Sequence, residues 1–284
     1  MSNKNQAKTA EIFDQIASSY EQNARIQLEI SNRLIQRLDF IPYEANIILD
    51  AGCGTGNSLK KLAEHYPKAK ISGIDLSDEM IKLAKKQGGW FAKQKLSNQD
   101  MCHTLIDDNS IDFIFSNLAL PWVTDIDACF SEWQRILKPG GLLLFSTFGP
   151  DTLKQIKKSW ASVDPKHKMM NFIDMHNIGD SLLKSGLAEP VMDVEKIANH
   201  YTSLEELFEE IKGNGSFSFL SENQNLRPDQ KLRDGMQKYI EENNPTHNDI
   251  EVTWEVIFGH AWGSELKNSN LNDDTFIIDA SLEK

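Results

Sequence analysis

Short apolar runs alternate with amphipathic stretches through the first half of the chain. The runs fall at residues 47–49, 71–74, 111–115 and 142–145, and residues 59–66, 79–86 and 127–137 between them carry apolar side chains at helical spacing. Strand and helix alternating at this interval predict a parallel α/β sheet with crossover helices. Lys138-Pro139-Gly140-Gly141 reads as a helix exit and a tight turn into the fourth run. Ahead of the sheet, residues 9–17 and 21–38 read as helices. Ala24, Leu28, Ser31, Ile35 and Leu38 form one stripe of the second, and Pro42 is its stop. Residues 1–9 are polar and are expected to be loose. After Phe148 the rhythm changes. Helices are expected at 152–163, 175–185, 204–212 and 228–242, with a strand at 190–201. Gly213-Asn214-Gly215 marks the break between the last two helices, and Val252, Trp254 and Val256 alternate in a late strand at 250–258. No Pro/Gly/Ser-rich linker separates two cores. The expected organisation is a helical lid at 1–45, one α/β domain at 46–263 with helical insertions near 149–175 and 202–249, and an aperiodic tail at 264–284.

Charge sharpens this picture. The 284 residues hold 30 Lys+Arg against 42 Asp+Glu, a net −12, and the excess is one-sided. Residues 1–170 carry 21 basic and 20 acidic side chains, whereas 171–284 carry 9 and 22. Such a chain offers no broad positive field for nucleic-acid phosphates. Cys53, Cys102 and Cys129 lack the paired spacing of a zinc site or disulfide framework. The N-terminus lacks the apolar stretch of a signal peptide, and no window of about 18 apolar residues exists. The expectation is a reduced, cytoplasmic protein with no metal, nucleic acid or membrane among its partners.

The candidate chemistry begins at Leu49-Asp50-Ala51-Gly52-Cys53-Gly54-Thr55-Gly56, where the first strand opens into a helix. Glycines at such a turn let the backbone approach a ligand and adopt positive φ. The dinucleotide fingerprint is G-x-G-x-x-G; here the third glycine comes one residue early and Asn57 follows. Asp50 at the loop entry would repel a pyrophosphate but suits an ammonium group, so the pattern favours a nucleoside without phosphates. Asp75 lies at the carboxyl end of the second strand, where an acid accepts hydrogen bonds from a ribose diol. Ser77 caps the next helix, and Asp78 and Glu79 complement its dipole. Asp100 and Met101 follow the third strand, placed to pair an adenine amino group and pack under the ring. Asn117 ends the fourth strand at the same edge, where ligands of open α/β sheets bind.

These segments resemble, in order and spacing, the class I S-adenosylmethionine-dependent methyltransferases over roughly residues 45–150. The resemblance implies a Rossmann-like seven-stranded sheet with its last strand antiparallel, which suits the run at 250–258. It implies S-adenosyl-L-methionine as cofactor, with S-adenosyl-L-homocysteine as product. Asp50, Gly52, Cys53 and Gly54 would surround the methionine part, Asp75 and Leu76 the ribose, and Met80, Asp100, Met101 and Asn117 the rest of the cofactor.

A narrower resemblance extends to about residue 263. Ile12-Phe13-Asp14, Ser18-Ser19-Tyr20, Gln27, Ser116-Asn117-Leu118-Ala119-Leu120-Pro121-Trp122, the 145–153 segment, Phe172-Ile173-Asp174-Met175-His176 and Gly259-His260-Ala261-Trp262 are similar to the malonyl-carrier-protein O-methyltransferases of biotin synthesis. That family commonly shows an arginine where this chain has Asn171, and its pattern leaves the tail after Trp262 unmatched. The resemblance implies methyl transfer to the free carboxylate of a malonyl thioester on acyl carrier protein. A carboxylate ionised at neutral pH needs desolvation and alignment rather than a general base. Tyr20 is the candidate catalytic residue, an aromatic lid whose ring favours the sulfonium charge. Trp122, His176 and His260 read as structural, Cys53 as a small loop residue. Lys154, Lys157, Lys158, Lys166, His167 and Lys168 form a basic cluster suited to an acidic carrier protein. Other acceptors, such as a free acid or a quinone ring carbon, stay open. So do non-methylating relatives: a protein-arginine hydroxylase, an assembly factor or a cofactor-binding scaffold.

Overall fold

A computed structural model describes residues 2–86, 95–166, 169–220, 230–243 and 249–265. In chain order these build α1 (Ser2–Ile16), α2 (Tyr20–Asn23), α3 (Arg25–Gln36), β1 (Ile47–Ala51), α4 (Asn57–His65), β2 (Lys70–Asp75), α5 (Asp78–Lys86), β3 (Lys95–Asn98), β4 (Ile111–Asn117) and α6 (Ile126–Ile136). They continue with β5 (Leu137–Phe148), α7 (Lys154–Val163), α8 (Met175–Lys184), β6 (Ala188–Tyr201), α9 (Leu204–Gly213), α10 (Gln230–Asn243) and β7 (Ile250–Trp262). The strands form one sheet in the order β3-β2-β1-β4-β5-β7-β6. β1 to β5 pair in parallel, and β7 runs antiparallel to both β5 and β6. The order reverses between β1 and β4, so the carboxyl ends of β1, β2 and β4 surround one crevice.

Strand alternation loads both faces of the sheet. Phe113, Phe115, Leu142 and Leu144 pack with Ile26, Ile30, Leu34, Leu59, Ile156 and Trp254 on one side. Ile114, Leu143 and Phe145 pack with Phe130, Trp133, Ile178 and Leu182 on the other. All of these side chains except Trp133 and Trp254 are aliphatic or phenyl, and all are nearly or fully buried. Polar caps set the helix starts: the Ser77 hydroxyl accepts from Met80 N at 3.1 Å, Asp125 from Ala128 N at 3.0 Å and Asp174 from His176 N at 2.9 Å.

Four sequence expectations are corrected. Residues 2–9 are helical where loose chain was expected, because α1 runs from Ser2 and is anchored to the sheet body through Gln6 and Asp14. The helix expected at 21–38 breaks at Ala24 (φ −96°, ψ 29°), beside Asn23, whose side-chain amide turns back to donate to Ser19 O. Ala24, Ser31 and Leu38 of the expected stripe are buried, Leu28 and Ile35 are partly buried, and Ile26, Ile30 and Leu34 widen the buried face. Residues 138–141 are not a closed turn. They are a bulge of β5, where the register steps from Ile111↔Leu137 to Phe113↔Leu142, and Gly140 N donates to Gly263 O at 2.7 Å. That pairing carries β7 to Trp262, four residues beyond the expected end.

Candidate active site

The crevice is built on the turn after β1. Gly52, Gly54 and Gly56 adopt φ of +80°, +53° and +89°, values costly for any residue with a Cβ. A methyl group on Gly52 would lie 2.4 Å from Ala119 Cβ, so the turn after β4 is pressed against the loop. At Gly54 it would meet nothing within 4 Å, since that backbone borders the cleft. Gly52 N and Cys53 N both donate to Ile74 O at 2.9 Å, and Gly54 N donates to Asp75 Oδ2 at 2.8 Å.

Asp75 braces two turns at once, because its Oδ1 also accepts from Ser77 N at 2.8 Å. Desolvation raises its carboxyl above the ordinary range, although these two N–H bonds pull it back down. Asp50 is 1% exposed, and among the described residues its Oδ2 has no hydrogen-bond partner. Burial, helped by the charge of Asp75, pushes its carboxyl well above the usual value. Burial and then Asp75 likewise hold the Tyr20 hydroxyl above its ordinary value, so it stays a donor. Across the crevice Asp100 accepts from Cys102 N at 2.9 Å and from Gln6 Nε2 of α1 at 2.6 Å, with His103 Nδ1 at 3.0 Å.

The far wall comes from the end of β4. Asn117 Oδ1 accepts from Ser146 Oγ at 2.8 Å and its Nδ2 donates to Gln27 O at 3.1 Å. Leu118 holds φ +53°, fixed by bonds from its N–H to Ser146 O and Oγ. An aromatic group closes the cleft: Phe13 meets Trp122 at 4.7 Å between centroids, Trp122 meets Phe219 at 4.3 Å, and Phe219 meets Phe172 at 5.0 Å.

Of the residues singled out from the sequence, Tyr20, Gly52, Gly54, Asp75, Leu76, Met80, Asp100, Met101 and Asn117 line this one cleft. Asp50 lies behind the loop without reaching the wall. Cys53 packs inward, where a Cβ on Gly73 would sit 2.9 Å from its Sγ. Trp122 lines the cleft, whereas His176 is exposed on α8 and His260 is half-buried on β7 beside Trp262. Asn171 is exposed and outside the lining. Gln6, Thr9, Gln99, Asn214 and Ser216 line the cleft without having been expected there. The signal for Asn214 was present, since the glycines flanking it mark a fixed turn, but only the fold brings that turn to the crevice. Among the described residues no group of three or more His, Cys, Asp or Glu could hold a metal ion, and no helix is long and apolar enough to cross a membrane.

In the basic cluster, Lys158 and Lys166 are exposed. Lys154 lies 3.9 Å from Asp151, and Lys157 is half-buried, donating to Pro150 O and standing 5.2 Å over the Phe172 ring. Burial lowers the Lys157 ammonium below its ordinary value. His167 and Lys168 lie outside the described residues, as does the tail from 266 onward.

The methyltransferase-domain family profile matches residues 49–145, from the glycine loop through β5. A malonyl-acyl-carrier-protein O-methyltransferase from Gallionella capsiferriformans is 35% identical over 257 residues, 88% of this chain and 88% of its own. One of the same name from Legionella pneumophila is 32% identical over 265 residues, 93% of either chain. A match that long leaves too few residues outside it to omit either the N-terminal helices or the 202–249 insertion. Among solved structures, the YcgJ protein of Bacillus subtilis superposes with a TM-score of 0.59 at 15% identity, over 82% of this chain and 99% of its own. Haemonchus contortus phosphoethanolamine N-methyltransferase 2, solved with S-adenosyl-L-methionine, gives 0.52 at 21% identity over 82% of this chain and 53% of its own. These two likenesses establish the fold.

Proposed function

The chain belongs to the malonyl-acyl-carrier-protein O-methyltransferase family, and on that premise we propose that it methylates the free carboxylate of a malonyl thioester carried by acyl carrier protein, as a cytoplasmic step toward biotin. The observation that carries this reading is the match along nine-tenths of both chains, which includes the elements that close the cleft as well as the sheet beneath it. The same match favours this acceptor over a quinone carbon and over a non-methylating role.

The residues present fit S-adenosyl-L-methionine. Gly54 leaves open space beside the cleft that a side chain would fill, Asp75 faces the cleft with acceptor capacity for a ribose diol, and Asp100 already accepts the kind of N–H that an adenine amino group offers. Met80, Leu76 and Met101 supply apolar contact for the base and sugar, and Asn117 fixes the wall that faces the loop. The orphaned Asp50 oxygen lies under the loop, where a ligand ammonium would compensate it. When bound, the cofactor supplies an electrophilic methyl group on a sulfonium.

The protein's own part is positional. Residues 1–45 act as a lid through α1 and α2, which bring Phe13 and Tyr20 over the cleft and exclude water. Tyr20 presents its ring to the cationic centre and keeps its proton. These residues would hold the acceptor carboxylate dry and aligned for that methyl group, and because the carboxylate is already ionised no residue need take or give a proton. Lys158 and Lys166, with Lys154 and Lys157, form the carrier-docking surface, and Lys168, outside the described residues, belongs to the same basic cluster in sequence. The Phe172 ring beneath Lys157 links that surface to the aromatic wall of the cleft.

Mass spectrometry of malonyl-acyl carrier protein incubated with the chain and S-adenosyl-L-methionine tests the reading. A gain of one methyl group on the malonyl unit, lost on ester hydrolysis, is expected. No gain, with cofactor binding confirmed by calorimetry, would overturn the acceptor and leave the fold assignment standing.

A further inference from the structure

Gly213 ends α9, and Asn214-Gly215 feeds a 3-10 turn, Ser216–Leu220. Asn214 N donates to Glu210 O at 3.0 Å, and Gly215 turns the chain with φ +83°. The turn is pressed onto the N-terminal helices: a Cβ on Gly213 would lie 2.3 Å from Asn23 Cγ, and one on Gly215 3.4 Å from Phe13 and Ile16. Asn214 is 2% exposed yet lines the same cleft as Gly52, Asp75 and Tyr20. Its Oδ1 accepts from Ser216 N at 3.0 Å. A backbone N–H at that distance identifies the oxygen end of the amide, so the other terminal atom is the nitrogen. Among the described residues that Nδ2 has no hydrogen-bond partner. Native folds rarely bury an amide donor without a use for it.

We propose that Asn214 is the substrate-positioning donor of the active site, its Nδ2 hydrogen-bonding the acceptor carboxylate; this rests on the reading of the reaction given above. The cleft is lined by Asp75, Asp100 and Asp125, and no Lys or Arg lines it among the described residues. An anionic acceptor entering this field needs N–H or O–H groups, and Asn214 holds one already desolvated and pointed by the Ser216 bond. A neutral amide suits the task. It aligns one carboxylate oxygen without the ion pair that would draw electron density from the other, which must attack. Among the described residues that line the cleft, the buried side-chain atoms without a hydrogen-bond partner are the Gln27 Oε1 acceptor and the Asn214 Nδ2 donor, and only the donor suits an anion.

Asn214→Asp tests this sharply. It keeps the shape and the oxygen that accepts from Ser216 N, and it exchanges only the free donor for an acceptor. The carrier kcat/KM should fall about 100-fold, and about 10-fold in Asn214→Ser, with cofactor affinity by calorimetry within about twofold of the unsubstituted chain. A second readout is independent of turnover. With S-adenosyl-L-homocysteine bound, the unsubstituted chain should bind malonyl carrier more tightly than its methyl ester, and Asn214→Asp should erase or reverse that preference. Equal weakening for both carriers, an unchanged preference, or a parallel loss of cofactor binding would each overturn the assignment. If the unsubstituted chain transfers no methyl to malonyl carrier, the reading of the reaction falls, and this inference with it.

Discussion

Asp75 joins three segments through one carboxylate, holding Gly54 N and Ser77 N while facing the cleft. Asp75→Ala removes both braces and the ribose acceptor, and charged hydrogen bonds of this kind are worth roughly 1.5–3 kcal/mol each. Cofactor affinity measured by calorimetry should therefore fall about 100-fold or more. Asp50 behaves differently because its cost is already present in the free protein. Burial, with Asp75 beside it, raises its folded-state carboxyl well above the unfolded value. Its contribution to folding is fully present below the unfolded value and is lost as pH rises toward the folded one. Asp50→Asn should thus raise the melting temperature of the cofactor-free protein at neutral pH, by about 2–4 °C per kcal/mol relieved. The same change should weaken cofactor binding, so the stability order of the two proteins inverts when saturating cofactor is added. Thermal melts with and without cofactor across pH check both signs. Asp75 was legible as a cleft residue because it ends the second strand at a fixed distance from a glycine loop, whereas Asp50, the entry to that loop, lies behind the cleft wall. Asn214 and Gln6 were not legible, since each reaches the cleft from an element distant in the chain, through packing that no local spacing encodes.

α1 shows what local spacing leaves out. Its second half was expected as a helix at 9–17, and the polar residues before it suggested loose chain, yet Gln6 donates to Asp100 Oδ2 at 2.6 Å. Asp14 accepts from Ser77 Oγ at 2.5 Å and from Glu79 N at 3.1 Å, which fastens α1 across the start of α5. Periodicity reads apolar stripes well, as in the β1-to-β5 alternation, and it is blind to a helix held by polar bonds to a partner surface. The break ahead of α3 has a similar origin, because the Asn23 back-bond and the fit of Asn23 against Gly213 interrupt the helix where the sequence pattern runs on. Two substitutions on α1 should act in opposite directions. Asp14→Ala releases the helix, and cofactor dissociation measured by stopped flow should quicken about tenfold. Gln6→Ala instead removes the amide that holds the Asp100 oxygen, freeing it for a ligand amino group. Cofactor affinity should then rise by about two- to tenfold. A loss in both variants would mean that Gln6 serves only to anchor α1.

At the scale of the whole molecule, a net charge of −12 repels an acidic carrier, so productive encounters depend on where the local field reverses. On the proposed docking reading that place is the basic cluster of α7 and the described residues after it, which lies ahead of the acidic C-terminal part. The structure divides the basic cluster by what each side chain can offer. Lys157 is committed to Pro150 O and the Phe172 ring, and Lys154 is shared with Asp151, whereas Lys158 and Lys166 stand in solvent. Exposed charges act mainly on encounter, over a Debye length of about 8 Å at physiological salt. The double substitution Lys158→Glu and Lys166→Glu should therefore raise the carrier KM about tenfold at low salt and leave kcat at saturating carrier unchanged. The difference from the unsubstituted chain should shrink as salt is added, because screening removes what the lysines contribute. A Lys157→Met change should act otherwise: it disturbs the Phe172 contact beside the aromatic wall, so its effect persists at high salt. Steady-state kinetics of the two proteins along a salt series separates steering from packing, and a salt-independent KM in the charge-reversed protein would remove this face as the docking surface.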